Sequence, residues 1–86
     1  MKVGVAGSVE SNDILITVTE SSELVIEIKS IVDAFFHDQI EQVIRDTLKE
    51  LNINNVKVSC QDKGALDYTI KARLVTALTR MEDTHA

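Results

Sequence analysis

Hydrophobic and polar residues alternate twice near the start of this chain, and the alternation then gives way to a longer period. Ile14, Ile16 and Val18 share one face of the run Ile14–Thr19, and Leu15, Thr17 and Thr19 share the other. This is the period-two pattern of a half-buried strand. Leu24–Lys29 repeats it, with Leu24, Ile26 and Ile28 inward and Val25, Glu27 and Lys29 outward. The polar residues between these runs, Glu20–Glu23, contain Ser21-Ser22 and predict a hairpin connection. Ahead of both, Lys2–Val9 has weak strand character. Val3, Val5 and Val9 point one way, while Gly4, Ala6 and Gly7 add little side-chain packing. Glu10–Asp13 predicts a turn or loop, because Ser, Asn and Asp side chains hydrogen-bond their own backbone in turns.

After Lys29 the period becomes helical. Val32, Phe36, Ile40, Val43, Ile44, Thr47 and Leu51 form one apolar stripe and predict a helix over 31–51. Ser30 followed by Asp33 has the pattern of an N-cap with an acid three residues on. Asp33 and Asp38 fall early and Lys49 late, which complements the helix dipole. Asn52 and the Asn54-Asn55 pair end the helix. Val56–Cys60 alternates again and predicts a further strand, broken by Asp62-Lys63-Gly64. From Ala65 onward Leu66, Ile70, Leu74, Leu78 and Met81 recur at helical spacing, predicting a second helix over 65–81. A strand through Leu66, Tyr68, Ile70, Ala72 and Leu74 also fits the first half of that segment. The expected order is β-β-β-α-β-α. It describes an α+β fold: a small antiparallel or mixed sheet with two helices packed on one face. With no proline, repeat or linker, residues 1–86 are expected to form a single domain with its last few residues frayed.

Composition narrows what such a domain can do. The chain has 86 residues, 44% hydrophobic, but only two Phe, one Tyr and no Trp, so the core must be aliphatic. A chain of this size buries only roughly 60–65% of its unfolded surface. It has little room for a deep cleft of the ~300–1,000 Å³ typical of small-molecule sites. A subunit or binding module is therefore favoured over a self-contained enzyme. The formal net charge is -5, with ten acids against four bases in residues 1–50 and four against five in 51–86. That balance argues against nucleic acid, which needs clustered Lys and Arg. It suits a surface that stays solvated or meets basic partners. Cys60 is the only cysteine, which excludes an internal disulfide and leaves a small hydrophobe in a strand. No secretory pattern opens the chain and no apolar run approaches ~18 residues. A cytoplasmic location without a membrane anchor is expected.

Little in the chain supports catalysis. His37 lies beside the helical stripe and His85 at the end of the chain. A Ser11–His37 pair would lack any nucleophile elbow or oxyanion loop. Two distant His and one Cys provide no metal-ligand spacing, and Asp13, Glu20 and Glu23 do not match a calcium loop. The three glycines form no phosphate cradle, and a base-stacking surface is missing. Ser11 stands out instead, in Ala6-Gly7-Ser8-Val9-Glu10-Ser11-Asn12-Asp13. A serine hydroxyl is a poor nucleophile without a base. On an exposed loop next to a rigid strand it suits attachment by another enzyme. A plain turn serine ahead of Ile14 is the alternative.

Two segments together resemble the citrate lyase acyl carrier (gamma subunit) family. One is Ala6–Asp13, and the other is Asp62-Lys63-Gly64-Ala65-Leu66-Asp67 followed by Lys71-Ala72-Arg73. Length, acidity and element order match as well, so the resemblance covers nearly the whole chain. It implies that Ser11 carries 2'-(5''-phosphoribosyl)-3'-dephospho-CoA through a phosphodiester, with the acyl group on the arm's terminal thiol. It further implies an alpha subunit that exchanges acetyl for citryl and a beta subunit that cleaves citryl to oxaloacetate. A separate transferase would load the arm. An arm of that kind raises the effective concentration of its thioester at two active sites in turn. The chain departs from the pattern at Asn12, where a second Ser is common, at Ser8 in place of Thr, and at Tyr68 in place of Cys. Ser8 is therefore a rival attachment site.

Asp62, Lys63, Gly64, Ala65 and Leu66 have two readings. In one, Asp62 caps the second helix and Gly64 relieves the turn. In the other, the segment docks the lyase subunits or the transferase, and Lys63 pairs with an arm phosphate. Other readings of the chain are a malonate decarboxylase-type carrier, an unmodified interaction domain, and a hydrolase using Ser11 and His37.

Overall fold

The computed structural model describes residues 2–30 and 34–84, with residues 34 and 35 given by their backbone. The elements run β1 (Val3–Ala6), β2 (Ile14–Glu20), β3 (Val25–Ser30), α1 (Ala34–Glu50), β4 (Val56–Asp62) and α2 (Asp67–Glu82). This is the expected α+β order. The segment with two readings is helical, beginning two residues later than its periodicity predicts. Ser30, the expected N-cap, instead ends β3, four residues before α1 begins, and Val32, Asp33 and His85 lie outside the described residues.

The four strands make one mixed sheet in the order β1-β2-β4-β3. β1 pairs with β2 and β2 with β4 antiparallel, while β3 pairs with β4 parallel. The hairpin expected at Glu20–Glu23 is therefore not one, because β4 lies between β2 and β3. The inward rows of the two central strands explain the order. Ile14, Ile16 and Val18 on β2 and Val56, Val58 and Cys60 on β4 are all buried. β3 has only half-buried Ile26 and Ile28 facing the core, so it takes an edge. A chain that leaves β3 and crosses through α1 returns parallel to it, which places β4 at its side. The hairpin in this fold joins β1 to β2, and the Gly7–Asp13 loop closes it.

β1 reverses its expected facing. Val3 and Val5 are exposed, while Gly4 and Ala6 face the core. A Cβ built on Gly4 would stand 1.8 Å from the Ala77 carbonyl oxygen and 2.6 Å from the Met81 nitrogen. The strand thus lies flush against the backbone of α2, and only the smallest residue fits. On the outer edge of β1, Arg80 donates to Val5 O at 2.7 Å and Thr84 to Val3 O at 2.9 Å. These side chains occupy carbonyls that would otherwise invite another strand.

Both helices cover the same face of the sheet. Ile40, Ile44, Thr47 and Leu48 from α1 meet Ile70, Leu74, Ala77, Leu78 and Met81 from α2 over the aliphatic rows. Each large aliphatic side chain buried there contributes on the order of 2 kcal/mol. Leu48 replaces the expected Leu51, which is exposed along with Phe36. The helix end explains the shift. Asn52 adopts φ 56°, in the left-handed region. Its N–H bonds Lys49 O at 3.1 Å and the next N–H, of Ile53, bonds Leu48 O at 2.9 Å. That pair of bonds is a Schellman stop, so Leu51 leaves the core line and Ile53 folds back beside Leu48.

Candidate functional site

At one end of the sheet the β1–β2 loop and the segment after β4 come together. Glu10–Asp13 forms a β-turn closed by Asp13 N donating to Glu10 O at 3.1 Å. Asn12 takes φ 67°, the positive value that the third residue of a type II turn requires and that Asn tolerates better than most residues. Ser11 is the second residue of this turn and is exposed. Its hydroxyl makes no hydrogen bond among the described residues.

The loop beneath Ser11 is tied down. Asn12 N donates to Lys63 O at 2.8 Å, and Lys63 N donates to Asp13 O at 2.9 Å. The two sequence segments of the family pattern are thus joined by backbone hydrogen bonds. The Asp13 carboxylate ties the loop to the strand and to α2. Its Oδ1 accepts from Ile14 N at 2.7 Å and from Arg73 Nε at 3.0 Å. Its Oδ2 accepts from Ser8 Oγ at 2.8 Å and from Arg73 Nη2 at 3.4 Å. The Arg73 guanidinium, then the Ile14 amide and the Ser8 hydroxyl, hold this carboxyl at about 2, well below the usual 3.8. Gly7, at φ +88°, lets the chain turn under the Arg73 stem. A Cβ there would lie 1.8 Å from Ile14 O and 3.3 Å from Arg73 Cδ.

Ser8 and Ser11 are therefore unlike. Ser8 Oγ donates to Asp13 and accepts from Glu10 N at 3.2 Å, so both its roles are taken. The sequence pattern leaves Ser8 as a rival to Ser11, and the two hydroxyls differ in their hydrogen bonding. Arg73 is the residue that reading the chain missed. It lies sixty positions from Asp13, and only the joint occurrence of the two family-like segments hinted at a connection.

Asp62 is buried and has a role other than the expected helix cap. Its carboxylate accepts from Ser30 Oγ at 2.9 Å, Gly64 N at 3.2 Å and Ala65 N at 3.0 Å. It pins the end of β3 to the turn after β4. The cap position of α2 is Leu66, which makes no side-chain cap bond and is exposed. Lys63 is half-buried and forms no ion pair among the described residues. Gly64 adjoins the Ser11 turn, since a Cβ there would meet Asn12 Oδ1 at 3.6 Å. Beyond it opens a cleft of about 400 Å³ walled by Phe36, Ile40, Ala65, Leu66 and Ile70. This cleft is larger than the chain's length leads one to expect, and its described lining holds no nucleophile–base pair.

Among the described residues no general base is hydrogen-bonded to Ser11. His37 sits on α1 with Nδ1 3.9 Å from Asp38 Oδ1. Cys60 is buried, and desolvation, reinforced by the Asp62 charge, pushes its thiol up to about 12. The described residues contain no group of three or more potential metal ligands. No helix among them is long and apolar enough to cross a membrane. This end of the molecule can present a hydroxyl on a rigid turn. Among the described residues it holds no nucleophile–base pair that would activate that hydroxyl.

The chain is similar to known proteins in sequence and in fold. A family model described as malonate decarboxylase delta subunit matches residues 1–81. The citrate lyase acyl carrier protein of Streptococcus uberis is 48% identical over 81 residues, 93% of this chain and 80% of the relative. That of Halothermothrix orenii is 47% identical over 76 residues, 87% of this chain and 81% of the relative. In fold, the chain is similar to one in a crystal structure of a Pseudomonas malonate decarboxylase hetero-tetramer in complex with malonate. There the TM-score is 0.78 at 17% identity, covering 93% of this chain and 84% of the other.

Proposed function

This chain belongs to the family of citrate lyase acyl carrier proteins and malonate decarboxylase delta subunits, and from that membership we propose that Ser11 is where its acyl-bearing arm is attached. As an acyl carrier it is a non-catalytic subunit of a multi-subunit enzyme. The arm we assign to it is 2'-(5''-phosphoribosyl)-3'-dephospho-CoA, bound to Ser11 Oγ through a phosphodiester and ending in a thiol. Acetyl and citryl thioesters on that sulfur pass between an alpha subunit, the acyl transferase, and a beta subunit, the lyase.

One observation carries the reading. The Ser11 hydroxyl is exposed on a turn tied down by Asn12 N, Asp13 N and the Asp13 carboxylate, and among the described residues no base is hydrogen-bonded to it. A nucleophile of the chain's own would need that base. An attachment point needs exposure and a fixed position, and the activating groups then belong to the transferase. Cys60 is no substitute for the arm's sulfur, since its thiol is buried and held protonated.

The neighbouring segment divides its roles. Asp62 is structural. Lys63, Gly64, Ala65 and Leu66 border the Ser11 turn, and we assign them to the surface met by any enzyme acting there. We assign Lys63 as a partner for an arm phosphate, because its backbone is bonded to the Ser11 turn and it forms no ion pair among the described residues.

Coexpression with the transferase tests the attachment. Intact mass should show a large adduct on the wild-type chain and none on Ser11→Ala. An adduct of equal mass on Ser11→Ala would contradict the reading. A second assignment, carriage for a malonate decarboxylase, is favoured by the family model and by the fold of the Pseudomonas chain. Presenting the loaded chain to purified alpha subunits of both enzymes separates them: the citrate lyase subunit should accept it and the decarboxylase subunit should not.

A further inference from the structure

The Asp13–Arg73 pair lies directly under the attachment turn. Asp13 is the fourth residue of that turn, and its N–H closes it. Its carboxylate meets Arg73 through two nitrogens at 3.0 and 3.4 Å. Arg73 belongs to α2, whose neighbouring Leu74 is fully buried, so its base is fixed in the core. The Asp13 side chain is only 17% exposed. A two-point contact with a planar guanidinium constrains orientation as well as distance. The turn is thereby referenced to a helix rather than left to sway with its hairpin.

We propose that Asp13 and Arg73 are positioning residues for the loading of Ser11. The proposal rests on Ser11 being the attachment point. Loading forms a phosphodiester, so Ser11 Oγ must attack the phosphorus of a donor activated as a phosphoric anhydride. The Oγ–P bond forms and the anhydride P–O bond breaks. The remaining phosphate fragment departs with the electron pair, and the hydroxyl proton passes to a base on the transferring enzyme. That base and donor are fixed in the transferase, so the attacking oxygen has to arrive in line. A turn that wanders by an ångström loses rate steeply without altering the surface that docks. The ion pair touches neither the donor nor Oγ, and it acts through the turn.

The test is the rate of adduct formation on the full chain with the purified transferase and its activated donor, followed by intact mass. Asp13→Asn removes the charge and Arg73→Lys keeps charge and stem but removes the fork. Urea unfolding identifies which variants are folded, and Arg73→Lys decides the matter if Asp13→Asn is not. The folded variants should load about tenfold more slowly, with the loss in kcat and KM changed by less than about twofold. A merely structural role would leave loading of the folded variants unchanged. Loading at the wild-type kcat by a folded Arg73→Lys chain overturns the proposal. Ser11→Ala run in parallel isolates the underlying reading: an adduct on it refutes the attachment site itself, whatever the pair does.

Discussion

The Ser11 turn and the Asp62–Leu66 segment are joined by two backbone hydrogen bonds, yet each is organised around a carboxylate in a different setting. Asp13 is part-buried, paired with Arg73, and supports a turn that projects an unbonded hydroxyl. Asp62 is buried, accepts only uncharged donors among the described residues, and locks backbone to backbone. One acid serves presentation and the other serves cohesion. The family pattern in these two segments therefore contains residues of two kinds, and stability and loading should separate them.

The largest stability effect is expected at Asp62. Asp62→Ala leaves the Gly64 and Ala65 amides without their carboxylate acceptor, at about 2–4 kcal/mol. Urea unfolding should show it as a lowered midpoint. A value near zero would mean that water replaces the carboxylate, and the contrast with Asp13 would fail.

Asp13→Asn should weaken folding by less, about 1 kcal/mol, because the Arg73 side chain is 42% exposed and solvent screens the pair. Its pH signature is specific. The folded carboxyl sits at about 2 against the usual 3.8. The pair's contribution is therefore complete above 3.8 and is lost as pH falls toward 2. Urea midpoints of wild type and Asp13→Asn should differ at neutral pH and converge across that interval. Parallel curves throughout would remove the ion pair from the account.

Cys60 sharpens the same contrast at the strand end leading into Asp62. Its thiol is raised from 9.0 to about 12 in the fold. The stability it contributes is intact below 9.0 and is lost as pH rises toward 12, since the unfolded chain ionises first. At pH ~8 a thiol reagent should label the arm of a loaded chain and leave Cys60 untouched until urea is added. Smallest of all, Leu66→Ala should shift the urea midpoint by less than about 0.5 kcal/mol, since Leu66 is 59% exposed. A larger loss would make Leu66 part of the core rather than of the surface beside Ser11.

Much of this was legible along the chain, and the failures share a cause. Alternation identified the inward rows of β2 and β4, and period and asparagines found α1 and its end. What the pattern missed was set by other parts of the molecule. Gly4 and Ala6 face inward because α2 lies on them, a fact invisible in a strand whose larger residues are Val3 and Val5. The order β1-β2-β4-β3 follows from the crossover through α1, whereas local polarity at Glu20–Glu23 favours a hairpin. Leu48 displaces Leu51 because Asn52 turns the chain. At the site, Ser11 and the turn were readable from residue types, while Arg73 reaches Asp13 only in the folded chain.

Locating the modification in protein from its native complex tests the central claim most directly. Cleavage after Glu10 separates Ser8 from Ser11, so the mass of each fragment assigns the arm without a substitution. The account predicts that the whole adduct travels with the fragment beginning at Ser11, on that serine. An adduct on the fragment holding Ser8 would contradict it.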